Sequence, residues 1–193
     1  MKKYELTDET IEVYGTALHR IKALKDFGNV KKEELGGYVE SERNLSQEGN
    51  CWVCGNAKVC GDAELCGNAK VCGNAKVCGD AKVCGNAWVF GNAEVYGNAK
   101  VYGNAWVYGN AEVCGNARVY GDADYITIKG LGSKYRNTTI FRTKENIAVK
   151  CGCFYGTLAE FVDKVKETHG NSKFTKEYLA LIDLVKIHFE LEE

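Results

Sequence analysis

Lys82 to Trp106 reads KVCGNAWVFGNAEVYGNAKVYGNAW, one six-residue unit written four times with two positions varying. The unit recurs twelve times from Trp52 to Ala123 without an insertion, so its internal spacing decides the fold. Ala and Val stand two residues apart around the variable slot. Ala-x-Val therefore reads as a short strand, with Ala and Val on one face and the variable residue on the other. Gly with Asn or Asp follows every time. These types tolerate positive φ, so each pair marks a tight corner, and the chain turns without reversing into a hairpin. One hexad cannot bury its apolar face alone. Stacked hexads bury a continuous column, in which each Val contributes roughly 1.5 to 3 kcal/mol of transfer free energy.

The pattern V-C/Y-G-N/D-A-x resembles the hexapeptide-repeat superfamily, whose members form left-handed parallel β-helices of triangular section. The resemblance implies three hexads per coil, with residues eighteen apart stacking at about 4.8 Å. Twelve hexads make four coils, and looser hexads upstream, with Val39, Leu45 and Cys51 at the Ala position, add one more. The left hand is an implication of the resemblance, because parallel crossovers are ordinarily right-handed. The expected fold is thus mainly β: a left-handed parallel β-helix over residues 38–128, an N-terminal β cap over 1–37 and a C-terminal α+β module over 129–193. In the cap, strands at Glu12 to Tyr14 and Ala17 to Leu24 precede a charged KKEEL turn and GGYV, and cover an otherwise open sheet edge.

An eighteen-residue period sorts the outward side chains onto three faces. The first carries Trp52, Lys70, Trp88, Trp106 and Asp124, with Cys54, Cys72, Phe90 and Tyr108 beside them. All three tryptophans share it. Lys58, Lys76, Glu94 and Glu112 mark the second face, and Glu64, Lys82, Lys100 and Arg118 the third; both read as solvated. An exposed aromatic stripe marks an interface, and the resemblance implies a parallel homotrimer, so Trp52, Trp88, Phe90, Trp106 and Tyr108 are expected to pack between subunits. The alternative is that the C-terminal helices fold back over this face.

Past Ala123 the period is lost. A last strand at Tyr125 to Ile128 precedes two more, Thr138 to Thr143 and Ile147 to Phe154, around a polar KEN turn. Thr157 and Glu160 form a capping box for a helix with an apolar stripe at Leu158, Phe161, Val162 and Val165, stopped by Gly170. A second helix, about Thr175 to Leu191, buries Leu179, Ile182, Val185 and Phe189. Just before them, Ser133, Lys134, Arg136, Thr138, Thr139, Arg142 and Lys144 concentrate hydroxyls and cations, the donors a phosphate needs. They are the candidate ligand-binding residues; the other reading is a solvated hairpin with ordinary surface cations. His169, at a helix C-terminus, reads as a dipole-complementing cap.

The chain of 193 residues is 45% hydrophobic and 26% charged, with a net charge of −1, which gives no whole-protein case for nucleic acid or an anionic membrane. Its N-terminus, MKKYELTDET, turns polar at once, and a cytoplasmic location is expected. Seven of the ten cysteines occupy one hexad slot, and reduced thiols are expected in a chain of this length. Cys51 with Cys54 lacks the second half of a zinc site, and Cys151 with Cys153 is too closely spaced, so neither metal nor cofactor is expected.

Most characterised proteins of the resembled superfamily are acyltransferases using acyl-CoA with an imidazole as general base. Here His19, His169 and His188 all fall outside the coils, and no loop is extruded from them. No catalytic residue is therefore assigned. LGGYVESERNL and the GS...TT...FRTK...CGCFYGTL...ETHG tail resemble a group of hexapeptide-repeat proteins of bacteria, phages and prophages, which implies a host cytoplasm if phage-encoded. The leading expectation is a non-catalytic homotrimeric binding protein that holds, and in a phage sequesters, a small phosphorylated nucleotide-like ligand in its tail. A structural or protein-interaction rod is the alternative, and a degenerate CoA-dependent acyltransferase the third reading.

Overall fold

The computed structural model describes residues 2–191; Met1, Glu192 and Glu193, at the ends of the expected cap and tail, lie outside them. Twelve two-residue strands follow one another at six-residue steps and stack into three parallel columns. The first is β4 (Trp52–Val53), β7 (Lys70–Val71), β10 (Trp88–Val89) and β13 (Trp106–Val107). The second is β5 (Lys58–Val59), β8 (Lys76–Val77), β11 (Glu94–Val95) and β14 (Glu112–Val113). The third is β6 (Glu64–Leu65), β9 (Lys82–Val83), β12 (Lys100–Val101) and β15 (Arg118–Val119). Register is strictly eighteen residues, as in Trp88 opposite Trp106 and Glu94 opposite Glu112. Inside, every Ala from Ala57 to Ala117 and every Val or Leu of the strands is buried.

Glycine makes the corners. Gly55 through Gly115 all hold positive φ, and a Cβ on Gly73 would meet the carbonyl oxygen of Gly91 at 3.1 Å in the next coil. Asn follows Gly, and its side-chain amides stack into ladders: Asn50 donates to Asn68, Asn68 to Asn86 and Asn86 to Asn104 at 3.0–3.1 Å. Ion pairs link coils on the other faces, Lys76 to Glu94 at 3.0 Å and Lys82 to Glu64 at 2.9 Å.

A looser coil does precede the twelve hexads, with a register the sequence reading places differently. β3 (Leu35–Val39) pairs parallel with β5, and Val39 stands opposite Val59 rather than Ala57; Leu45 likewise stands opposite Leu65. Trp52, by contrast, is opposite Lys70, so the corner between Leu45 and Trp52 carries two residues more than its counterparts. That enlarged corner receives the cap. The Gln47 side-chain oxygen accepts from the Lys3 and Tyr4 main chain, and the buried Lys3 ammonium donates to the carbonyls of Glu48 and Cys51. The cap itself is the hairpin β1 (Tyr4–Val13) and β2 (Thr16–Ala23), which extends the second column through β3 into a seven-stranded sheet. Gly36 and Gly37 let β3 cross the first coil closely: a Cβ on Gly37 would lie 2.5 Å from the Ala57 carbonyl oxygen.

The opposite end is closed by a four-stranded antiparallel sheet, β16 (Tyr125–Leu131), β17 (Arg136–Arg142), β18 (Ile147–Cys151) and β19 (Phe154–Thr157). Its first strand starts at Tyr125, inside the stretch the sequence assigns to the rod, and Gly152, at φ 59°, divides the expected long second strand in two. Tyr125, Phe141 and Ala148 join the core of the solenoid, while Ile140, Val149 and Cys151 face α1 (Leu158–His169) and α2 (Lys173–His188). The sheet is thus covered on both sides. It also satisfies the solenoid's last edge: the Glu112 N–H donates to the Thr139 hydroxyl at 3.1 Å, and the Asn137 amide to the Asn110 carbonyl at 2.7 Å. The capping box of α1 forms as its sequence predicts, Thr157 N–H to the Glu160 carboxylate at 2.8 Å.

Two pairs of cysteines differ from the expectation of reduced thiols. Cys54 is bonded to Cys72 and Cys66 to Cys84, each pair with Cα atoms 4.7 Å apart. The stacking register brings like slots into the Cα separation a disulfide requires, roughly 4.4–6.8 Å.

Candidate functional site

The seven residues marked as phosphate donors do not converge. Ser133, Lys134 and Arg136, all exposed, line one cavity of about 330 Å³ between the sheet and the helices. Thr138 and Thr139 are fully buried, because the sheet that carries them is covered on both faces. Thr138 donates to the Cys151 sulfur at 3.2 Å, and Thr139 holds the solenoid edge. These two are structural, which corrects the reading of this segment as a hairpin open to solvent. Arg142 is drawn away to Asp124 at 3.2 Å and lies over the Phe189 ring. Lys144 lines a separate polar groove with Glu145, Asn146, Tyr155 and Glu160.

What the cavity adds comes from the helices. Phe161, Lys164, Val165, Thr168 and His169 present one face of α1, Tyr178 comes from α2, and Cys151, Cys153 and Phe154 from the turn around Gly152. Phe161 packs on Phe154 at 5.2 Å and edge-on to Tyr178 at 5.3 Å, and the His169 ring stacks on Tyr178 at 6.0 Å. Burial pushes the Tyr178 phenol above its ordinary range, with the Cys151 thiol beside it adding to the rise; the hydroxyl donates to the Leu131 carbonyl at 3.3 Å. The floor is aromatic and the mouth cationic. Among the described residues, Lys134 and Arg136 form no ion pair, whereas Lys164 is held by Glu167 at 2.8 Å. The Arg136 side chain lies against Gly152, where any Cβ would collide with the guanidinium. Such an arrangement can seat a flat apolar group and hold an attached anion at the rim. His169 was legible only as a cap; the spacing 161, 164, 165, 168 on α1 is the signal that could have tied it to the cavity.

The other two imidazoles lie elsewhere, His19 against the Thr7 carbonyl at 3.2 Å and His188 against the Ala123 carbonyl at 2.9 Å. Among the described residues, no cluster of three His, Cys, Asp or Glu could hold a metal. No described helix is long and apolar enough to cross a membrane.

The aromatic slots sort differently along one column. Trp88 and Trp106 stack at 5.5 Å with planes 12° apart, and Phe90 and Tyr108 stack beside them at 5.5 Å. Lys70 lies over Trp88 at 5.0 Å. Trp52, expected on the same open surface, is 2% exposed: Tyr4 and Phe27 of the N-terminal segment pack edge-on against it at 6.3 and 5.3 Å. The cap covers it, so the open aromatic surface comprises Trp88, Phe90, Trp106 and Tyr108.

A family model matches within the solenoid. The family described as YdcK Beta solenoid repeat matches residues 93–109. The protein named uncharacterized acetyltransferase YdcK, of Escherichia coli (strain K12), is 38% identical over 61 residues, which cover 28% of this chain and 19% of that protein. The chain therefore matches less of that relative than one fifth of its length. Those matches and the eighteen-residue coil together support a likeness to the hexapeptide-repeat β-helix superfamily.

Proposed function

We propose that the C-terminal cavity holds a small phosphorylated, nucleotide-like ligand, and that the solenoid carries this site as a binding protein assembled into a homotrimer through the open aromatic face. One observation carries the reading: Lys134 and Arg136, without ion-pair partners among the described residues, stand at the mouth of a cavity floored by Phe154, Phe161 and Tyr178. An aromatic base fits the floor, and a phosphate meets the cations. Net hydrogen bonds to charged groups contribute about 1.5–3 kcal/mol each. Losing one cation then weakens binding roughly tenfold to a hundredfold.

Calorimetric titration of the purified chain with adenosine and guanosine mono- and diphosphates tests this. Binding that Arg136→Ala and Lys134→Ala each weaken at least tenfold, with unchanged circular dichroism, supports it. Failure of every nucleotide to bind at millimolar concentration, or an affinity indifferent to both substitutions, overturns it. The relative's printed name favours a second reading, an acyl donor carried on CoA, which is itself a phosphorylated nucleotide. Acetyl-CoA belongs in the same titration, and release of free CoA thiol in the presence of amine acceptors would make the cavity a donor site.

A further inference from the structure

Between the first two full coils the register is unbroken on all three sides: β4 on β7, β5 on β8 and β6 on β9. In each of these six hexads the slot after the inner Val or Leu is cysteine, so stacking creates three pairs, one on each side: Cys54 with Cys72, Cys60 with Cys78 and Cys66 with Cys84. The backbone around them is the same. Cys54 N–H donates to the Val71 carbonyl at 2.9 Å, Cys60 to Val77 at 3.0 Å and Cys66 to Val83 at 3.1 Å. The first and third pairs are disulfides, and the second is a dithiol with both residues half-buried.

We propose that Cys60 and Cys78 are an oxidation site, where a peroxide closes a third disulfide and completes a ring of cross-links joining the first two coils on every side. The Cys60 thiol stacked beside it holds Cys78 below the ordinary thiol range, so Cys78 is the attacking sulfur. Burial and the Glu94 carboxylate oppose this, and the Lys76 ammonium, paired with Glu94 at 3.0 Å, adds to it. The Cys78 thiolate attacks one peroxide oxygen, the O–O bond breaks, and the departing hydroxide takes up the proton that Cys78 gave to solvent and leaves as water, giving a sulfenic acid. The Cys60 sulfur then attacks the Cys78 sulfur, the S–O bond breaks and a second water departs. Two thiols lose two electrons in all, and one hydrogen peroxide becomes two waters. The pair is insulated along its column: the next slot above Cys78 is Tyr96, whose phenol lies between it and Cys114.

The test is differential alkylation of the folded chain with and without hydrogen peroxide, quenched in acid and mapped by peptide mass spectrometry. In the untreated protein Cys60 and Cys78 take up N-ethylmaleimide on denaturation, as two of six free cysteines. After peroxide, labelling at both falls at least tenfold, and the peptides bearing them appear cross-linked, while Cys51 and Cys114, which are buried, keep their label. In Cys78→Ser, Cys60 keeps its label after peroxide; Cys60→Ser serves as the second variant and turns Cys78 to sulfinic acid instead. Undiminished labelling of both cysteines, separate over-oxidation in the unsubstituted chain, or a cross-link from Cys60 to any other cysteine overturns the proposal.

Discussion

Trp52 and Trp106 fill the same slot of the same four-stranded column, three coils apart, yet one is 2% exposed and the other 47%. The repeat puts both on one face; the segments flanking the repeat settle what that face meets. At the N-terminal end, Tyr4 and Phe27 close over Trp52, and Gly36 leaves room for its ring, since a Cβ there would come within 2.7 Å of the indole. At the C-terminal end the module covers the last edge and Tyr125 bonds the Trp106 carbonyl, yet the Trp88 and Trp106 rings stay exposed. One and the same slot of uniform coils is therefore core or surface according to what the flanking segments bring against it.

The largest way to break this contrast is Trp52→Ala. It empties a site shared by the cap and the first coil, and large-to-small core changes of this kind cost about 3–5 kcal/mol. Chemical denaturation should show that loss, together with proteolysis of the N-terminal hairpin before the coils. A cost below about 1 kcal/mol on this scale would mean the cap is not held by the indole. Leu65→Ala, beneath the Leu45 bridge, is next in size, at about 2–5 kcal/mol by the same reasoning.

Alkali sharpens the comparison of the two ends. Burial raises the phenols of Tyr4 at the cap and Tyr125 at the module above their ordinary value. In the unfolded chain a phenol ionises near pH 10, roughly its value in a free peptide, while the folded chain keeps the proton. Above that pH the folded state binds more protons than the unfolded one, so the tyrosines' contribution is constant below about pH 10 and falls as pH rises beyond it. Denaturation midpoints between about pH 8 and 11.5 measure the fall. Tyr4→Phe should flatten it while losing the hydroxyl's bonds to the Glu42 and Leu45 carbonyls, and Tyr125→Phe should do so while losing the bond to the Trp106 carbonyl. An equally steep decline in both variants would assign it to other groups.

How far the sequence reached obeys the same division. In the coils a single period dictates strand, corner, register and burial, so positions such as Val89 and Gly91 were legible from six residues. The upstream coil was not, because two extra residues between Leu45 and Trp52 shift Val39 onto Val59, and nothing local announces an offset. In the module, the capping box at Thr157 and Glu160 was readable because its partners are three residues apart. Thr138 and Thr139 were misread because their burial depends on two layers supplied by distant segments. The cavity assembles β17, the turn at Gly152, α1 and α2, and only its cationic lip, Lys134 and Arg136, lies in one short stretch. Surface cations of that kind carry little stability, within about 0.5 kcal/mol, so their substitution should alter ligand binding and leave the denaturation midpoint unmoved.

A small effect on stability, and the most telling one for assembly, belongs to Trp88 and Trp106. Each is partly exposed, and their stacking contributes about 0.5–1.5 kcal/mol beyond burial, so Trp106→Ala should barely shift the midpoint compared with Trp52→Ala. If the open aromatic face packs between subunits, Trp88→Lys with Trp106→Lys leaves the coils folded by circular dichroism and lowers the sedimenting mass from trimer to monomer. Lys70, already lying over Trp88, then adds like-charge repulsion across the same surface. A sedimenting mass that stays the same in the double variant removes this face from the assembly, whatever the oligomer proves to be. It would also recast the stack as a purely intrachain ladder, equivalent to Tyr102 on Tyr120 at 5.8 Å one face away.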